Sequence, residues 1–467
     1  MEKITSFLLK IVQTVNTYLS DYILIFLLVG IGLFYTIRTR FVQIRCFGEG
    51  MKKVFGNISL RGGKNKGGLS SFQALATAIA AQVGTGNIVG ACGAILIGGP
   101  GAIFWMWIIA FFGMATIYAE AVLAQKTRVV QEDGSVLGGP VYYIRQAFKG
   151  GFGKFLAGFF AVAIILALGF MGSMVQSNSI SEAISTAIPA IPMWAVGLAL
   201  SVICAVIFIG GIQRIASVAE KIVPIMAVLY LVLGLVILGI NVTKIPETFG
   251  LIFKCAFVPQ ALIGGAVGEA IKRAISQGAK RGLFSNEAGM GSTPHAHAQA
   301  NVENPHDQGV VAMAGVFIDT FVVLTITALV VISTLFTSGG PLATAEGLAG
   351  TTLTKASLMQ TAIGTALGNQ TLGNIMIAVC LTFFAFTTII GWNFFGKQNV
   401  QYLFGKKATV VYSVLAIAFI FLGSLFPNDL VWELADMFNN IMVIPNVLAL
   451  AALSGVVALV AKNKKKK

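Results

Sequence analysis

The sequence predicts an all-α polytopic membrane protein with eleven transmembrane helices. One extra N-terminal helix precedes a 5+5 inverted repeat that contains two discontinuous helices. Three observations predict this fold. The 467 residues are 56% hydrophobic and only 11% charged, against about 25% charge in a soluble domain, and the mean hydropathy is +0.85. Apolar runs of about 20 residues recur along the chain, each long enough to cross a hydrocarbon core as helix. Lys and Arg collect in alternate loops, the sorting pattern of membrane topology.

The first apolar run, 22–38, follows a mildly amphipathic leader and lacks an A-x-A site, so an uncleaved helix is expected rather than a signal peptide. The loop after it carries Arg38, Arg40, Arg45, Lys52, Lys53, Arg61, Lys64 and Lys66. Spans at 71–97 and 101–125 lead to a second basic loop, 126–154, with Lys126, Arg128, Arg145, Lys149 and Lys154. Spans 154–187 and 193–211 follow, then a short turn flanked by Arg214 and Lys221, and the span 218–240. Only Lys244 and Lys254 lie before a broken segment at 258–300, and Lys355 stands alone after the span 309–336. Span 371–396 ends at another basic turn, Lys397, Lys406 and Lys407; spans 409–426 and 430–461 precede the tail KNKKKK. Assigning the basic loops to the cytoplasm puts the N-terminus outside and the C-terminus inside, and an odd helix count agrees. The expected location is the plasma membrane of a bacterial or archaeal cell.

With the first helix set aside, ten spans form one membrane domain in two sets of five, 71–240 and 258–461. Because five is odd, the second set starts from the opposite face, which is the inverted-topology build of many secondary transporters. The repeat is inferred from counting; the halves show no convincing sequence identity. The formal charge of +14 does not indicate nucleic acid, because it resides in topology-setting loops. Four of the five cysteines (46, 92, 204, 255 and 380) fall in or beside apolar segments and no CxxC occurs. They read as packing residues rather than disulfides or metal ligands. No catalytic triad, phosphate-loop lysine or energy-coupling domain is recognised. The expectation is therefore a non-enzyme with no organic cofactor and no obligate protein partner, surrounded by membrane lipid.

GTGNIVG, residues 84–90, has the glycines of a nucleotide loop, yet no Asp, Glu, Lys or Arg occurs between Gly67 and Ala119. A dinucleotide site needs a preceding strand and an acid about twenty residues on, and SSFQALATAIAAQ before it reads as helix. Glycine costs about 1 kcal/mol relative to alanine in a helix, so the stretch is read as an unwound helix near mid-membrane; close helix packing through Gly86 and Gly90 is the alternative. Residues 282–298, GLFSNEAGMGSTPHAHA, form a second interruption with Gly282, Ser285, Asn286, Glu287, Gly289, Gly291 and Pro294. The helix before it carries Lys272, Arg273, Lys280 and Arg281, which should face protein, water or the interface rather than lipid. Unpaired backbone survives at this depth only where it lines a cavity or is buried in protein. A broken helix offers N–H groups to a carboxylate and carbonyls to a small hard cation such as Na⁺.

Other polar residues allow weaker readings. His295 and His297, at i and i+2, diverge on a helix and suit capping or gating contacts better than zinc. Asp319 lies in an apolar helix and is a functional candidate, as a proton carrier, a support for a sodium site or an ion-pair partner. Glu287 reads as a structural or gating ion-pair partner, and Glu120 as a charge satisfied near Lys126 and Arg128. The first core helix holds no acid to meet a substrate ammonium, which suits a zwitterion travelling with a cation.

GTGNIVGA, GGPGAIFWMWIIAFFGMATIYAE and FSNEAGMGSTPHAHA together resemble the alanine or glycine:cation symporter family, strongly over about residues 70–300 and by helix pattern beyond. That family is similar in fold to the neurotransmitter:sodium symporters. The resemblance implies sodium-coupled uptake of a small neutral amino acid: L-alanine, glycine and, in some members, D-alanine. Carried over by motif, it implies that the N–H groups of Thr85 and Gly86 hold the substrate carboxylate. Phe284, Ser285 and Asn286 lie at the other break, and Gln82, Asn286 or nearby carbonyls accept from the ammonium. Gly169 and Gly172 either leave room for ligand, within reach of Gln176, or serve helix packing. Sodium is assigned to carbonyls near Ala80 and Val83 and to the hydroxyls of Thr387 and Thr388, with Trp392 as a pocket lid or a packing residue.

Overall fold

Apolar runs become helix throughout the computed structural model, which describes residues 2–56, 69, 71–132, 134–209, 211–258 and 267–463. Arg61, Lys64 and Lys66, the four terminal lysines, and the start of the second broken segment at 259–266 lie outside the described residues. The leader does not stop before the first span. Helix α1, Ser6–Arg38, runs through both as one unit. A short helix α2, Phe47–Gly56, follows.

The first interrupted span is α3, Ser71–Gln82, and α4, Gly86–Gly98, joined at a bend of 43°. Then come α5, Gly101–Thr127, a two-residue hairpin pairing Val129 with Leu137 and Val130 with Val136, and a short helix α6, Pro140–Ala147. Spans α7, Gly150–Ala187, α8, Met193–Phe208, and α9, Gly211–Ile240, complete five. Helix α10, Ile245–Phe257, is amphipathic and was not expected from the sequence. The second interrupted span is α11, Val267–Asn286, and the single turn α12, Pro294–His297. Span α13 is Pro305–Leu335, and the short helix α14, Ser357–Leu367, was again unexpected. Spans α15, Gln370–Phe404, α16, Ala408–Gly423, and α17, Asn428–Ala452, complete the second five. The run 430–461 is not one helix: it breaks at Leu453 before α18, Ser454–Lys462.

Among the described residues, seven helices are long and apolar enough to cross a membrane, and the bent pair α3–α4 makes an eighth. Helices α8 and α16 are shorter apolar helices, and α11 with α12, too charged to qualify by hydropathy, makes up the eleven. The order within each set of five spans is the same: interrupted span, long span, a short linking helix, long span, short span, long span. Second packs on second (α5 on α13), third on third (α7 on α15) and fourth on fourth (α8 on α16).

The outer surface explains the composition. Leu198, Val202, Ile203 and Val206 on α8, Val228, Val232 and Leu235 on α9, and Val410, Val411 and Val414 on α16 are exposed, an apolar belt suited to lipid tails. The polar residues go inward. Gln82, Thr85, Asn87, Gln176, Ser285, Asn286, Glu287 and Asp319 are all at most 2% exposed. Polar groups at such depth must find partners, and those partners define the site.

Candidate functional site

The first break is short. Val83 and Gly84 leave helical geometry, Thr85 re-enters it, and Gly86–Gly90 forms a π-helical turn before regular helix resumes. The Gly84 N–H donates to Asn87 Oδ1 at 3.0 Å, and the Thr85 N–H donates to Gln176 Oε1 at 3.2 Å. Thr388 closes one side: its hydroxyl donates to Ala80 O at 3.0 Å, and a Cβ on Gly84 would stand 2.3 Å from it. Two polar atoms at this point are buried with no hydrogen-bond partner, Thr85 Oγ1 and Gln176 Nε2. Buried polar atoms left without a protein partner point to something that binds there.

The second break is longer and charged. Helix α11 continues through Gly282 and Ser285 and ends at Asn286, so the interruption begins at Glu287, five residues later than the sequence suggests. From Glu287 to Gly291 the backbone visits the left-handed region three times, at Glu287 (φ 59), Gly289 (φ 88) and Gly291 (φ 82). Glycine tolerates this freely, but a glutamate does so only when its surroundings impose it. Here they do. Glu287 Oε1 accepts from Trp392 Nε1 at 2.5 Å, and Oε2 accepts from the Ser292 hydroxyl. The two glycine turns aim their N–H groups at a single carboxylate: Gly289 N and Gly291 N donate to Glu120 at 3.0 and 2.9 Å. Asn446 Nδ2 adds a third bond at 2.7 Å. Convergent N–H groups of this kind make an anion-binding concavity, and Glu120 fills it.

The two breaks meet. A Cβ on Gly86 would lie 2.9 Å from Ser285 Cα, so only glycine permits this approach. Gln82 Nε2 donates to Asn286 O at 2.8 Å. Asp319, on a π-helical turn of α13, ties both together. It accepts from Asn87 Nδ2 at 2.6 Å, from Ser285 Oγ at 2.9 Å and from Thr320 Oγ1 at 2.9 Å. Asn286 Nδ2 reaches Thr320 Oγ1 at 3.2 Å. On one side of this cluster, Arg281 forms a buried bidentate pair with Asp436, at 3.0 and 2.8 Å, and stacks 4.7 Å over Trp432. Phe284 packs edge-on against Trp392 and tilted against Trp432.

Two discontinuous spans meeting around an unmatched hydroxyl and amide, inside an apolar bundle, is the arrangement of a transporter's binding site. Comparison with known proteins bears on which. The family model described as "Sodium:alanine symporter family" matches residues 5–467. The chain belongs to the sodium:alanine symporter family. It is 41% identical over 449 residues to the sodium/alanine symporter AgcS of Methanococcus maripaludis, covering 96% of this chain and 95% of that one. It is 38% identical over 454 residues to a Bacillus subtilis chain named "Probable sodium/glutamine symporter GlnT", covering 97% and 90%. In fold it is similar to the crystal structure of MhsT in complex with L-phenylalanine, with a TM-score of 0.57 at 13% identity over 85% of this chain and 99% of that one. This symporter is therefore an integral membrane protein of a transporter family, which couples amino-acid movement to a cation.

Several expected residues lie together at the symporter's two breaks: Gln82, Thr85, Gly86, Gln176, Phe284, Ser285 and Asn286, with Ala80 and Thr388 adjoining. Val83 sits at the bend itself, buried. Others lie differently. Thr387 does not share the pocket of Thr388; its hydroxyl stays on its own helix at Phe383 O and Phe384 O and faces Met226 of α9. The room left by Gly172 is taken by the Trp392 ring, 2.5 Å from where a Cβ would be, and that left by Gly169 by Tyr412. Glu120 does not pair with Lys126 or Arg128 but caps the second break. Glu287 and Asp319 bond to hydroxyls, amides and an indole rather than to a base. His295 Nδ1 lies 2.7 Å from Ser292 O, and its Nε2 meets Asn399 at 2.9 Å. His297 Nδ1 meets Gln308 at 2.8 Å.

Three participants escaped the sequence reading: Asp436, Trp432 and Asn446. The signal for Asp436 was available, an acid inside the apolar run 430–461 facing the basic run before the second break.

Proposed function

We propose that the protein is a sodium-driven symporter that takes up a small neutral amino acid, L-alanine or glycine, by alternating access between two five-helix repeats, 71–240 and 258–461. The reading rests on the buried, unmatched Thr85 Oγ1 and Gln176 Nε2 at the meeting point of two broken helices. Gln176 Oε1 occupies the acceptor position opposite the Thr85 N–H, where a substrate carboxylate oxygen would sit. On binding, the carboxylate takes the N–H groups of Thr85 and Gly86 and the Thr85 hydroxyl, and the freed Gln176 amide turns to the ligand. The ammonium is met by carbonyls at Phe284, Ser285 and Asn286.

Sodium, as co-transported cargo, takes the oxygen set of Ala80, Val83 and Thr388, since a small hard cation prefers such ligands. Thr387 contributes only if its helix rotates. Sodium at this position holds α3 against α15 and so organises the amino-acid site. Binding of both ligands then closes the outer path through Arg281 and Asp436, and the bundle rocks inward. One charge moving through 100 mV supplies about 2.3 kcal/mol, enough for about fifty-fold accumulation before the sodium gradient is counted. The N-terminus faces outward and the C-terminus the cytoplasm, as the basic loops direct.

The test is radiolabelled alanine uptake into proteoliposomes, with sodium replaced by potassium or by a proton gradient. Accumulation that requires sodium supports the reading, and accumulation driven by protons alone replaces the coupling ion. Flux with no accumulation marks an uncoupled path. Competition by unlabelled glutamine, named for one relative, measures how far the site admits larger side chains.

A further inference from the structure

Away from the transport site, three side chains of metal-binding type converge where α2 packs on α13. Cys46 immediately precedes α2, and Glu49 lies one turn on, at i+3, so both share a face. His306 sits in the first turn of α13, whose N-cap Asn304 accepts from the His306 N–H at 3.0 Å. One ligand atom from each of the three lies within 4.8 Å of the others, and His306 Nε2 is 3.4 Å from Glu49 Oε1. Among the described residues it is the one such grouping of His, Cys and acidic side chains.

The surroundings resemble those of a built site. Cys46 and His306 are fully buried, whereas the Glu49 side chain is 36% exposed, which supplies an entry path. The Tyr118 hydroxyl lies 2.7 Å from His306 Nδ1, fixing the ring and aiming Nε2 at the other two; metal-bound histidines are oriented in this way by a partner on the second nitrogen. Helix α2 is held in place independently, by Lys53 on Asp307 at 3.2 Å and by the Phe47 ring on Phe317 at 4.7 Å.

We propose that Cys46, Glu49 and His306 bind a thiophilic divalent cation of the zinc type, which clips α2 to α13. Thiolate, imidazole and carboxylate suit zinc over magnesium or calcium. Ligand bonds of about 2.0–2.3 Å in a tetrahedron put donor atoms about 3.3–3.8 Å apart, so the three need to close by about 1 Å, and water completes the shell. The site stands apart from the transport reading, although α13 also carries Asp319, thirteen residues on and about 20 Å along the helix.

The full-length protein, purified in detergent and freed of metal, is titrated with Zn²⁺ against a chromophoric chelator. One equivalent per chain is expected to bind, weakened at least tenfold in both Cys46→Ser and His306→Gln and less in Glu49→Gln. With Co²⁺ in place of zinc, a thiolate charge-transfer band is expected in wild type and absent in Cys46→Ser. Sodium-driven alanine uptake by metal-free Cys46→Ser, within twofold of wild type, shows that this variant is folded. Zinc affinity unchanged in Cys46→Ser, or no cobalt–thiolate band in wild type, overturns the proposal.

Discussion

The first break leaves only Val83 and Gly84 outside helical geometry and carries no ionisable side chain, whereas the second runs from Glu287 to Thr293 and is pinned at both ends by buried carboxylates. At the first, backbone N–H groups meet neutral side-chain amides, Asn87 and Gln176, which a ligand can displace at modest cost. At the second, Gly289 and Gly291 N–H groups are held by Glu120, and Glu287 is held by Trp392 and Ser292. Each of these carboxyl groups meets two or more buried donors at once, and releasing it would strand them at about 1–3 kcal/mol each. The contrast teaches a division of labour: the first break is built to exchange partners, and the second to anchor the bundle while lending the end of its helix.

The comparison fails first, and most visibly, at their contact. Gly86→Ala places a methyl 2.9 Å from Ser285 Cα, a backbone atom that cannot swing aside as the neighbouring Phe284 ring can. Uptake in proteoliposomes is expected to fall at least about 100-fold, equivalent to about 3 kcal/mol, while protein is still recovered in the membrane and thermal unfolding shifts down modestly, because overpacking also costs stability. Wild-type uptake in this variant would detach the contact between breaks from transport.

At the anchored break the order of effects reverses. Glu120→Ala leaves the Gly289 and Gly291 N–H groups buried and unpaired, at about 1–3 kcal/mol each. Thermal unfolding in detergent is expected to shift down strongly, with yield falling alongside activity. Removing the Glu120 side chain without a loss of stability would show that the second break does not depend on its acid. Arg281→Gln sharpens the boundary between the two roles. It strands Asp436, whose pairing is buried and bidentate, and breaking such a pair by removing one partner costs about 3–5 kcal/mol. Part of that is expected as slower uptake, about tenfold or more, which Arg281→Gln with Asp436→Asn partly restores.

The same contrast explains what the sequence made legible. Spans are written in apolar runs, and the glycines of the first break stand in an uncharged stretch where nothing else accounts for them. The second break starts five residues beyond Gly282, which reads as a breaker in the sequence, yet its neighbours Met106 and Ile109 of α5 leave it comfortably helical. The π-helical turns at Gly86–Gly90, Ile165–Gly172 and Phe317–Leu324 carry no hydrophobic signature, since one inserted residue hardly alters an all-apolar pattern. Partners were harder still. Glu120 seemed matched to Lys126 and Arg128 because they are near in sequence, but its real partners come from the second break and α17.

The finest test lies within one pair of adjacent residues. Thr387 and Thr388 are chemically identical and equally buried, yet only Thr388 turns from α15 to the first break, where its hydroxyl meets Ala80 O at 3.0 Å and crowds Gly84. Thr387 bonds within its own helix and touches Met226. If the first break exchanges partners with sodium, Thr388→Ala removes an oxygen ligand. The sodium concentration for half-maximal uptake is then expected to rise about tenfold, the weight of one bond to a charged group. Thr387→Ala removes bonds within its own helix and touches neither break, and is expected to move the same value by less than about threefold, under about 1 kcal/mol. Equal shifts in both variants would mean that α15 rotates on sodium binding so that both hydroxyls reach the ion; no shift in either would move the cation away from the first break altogether.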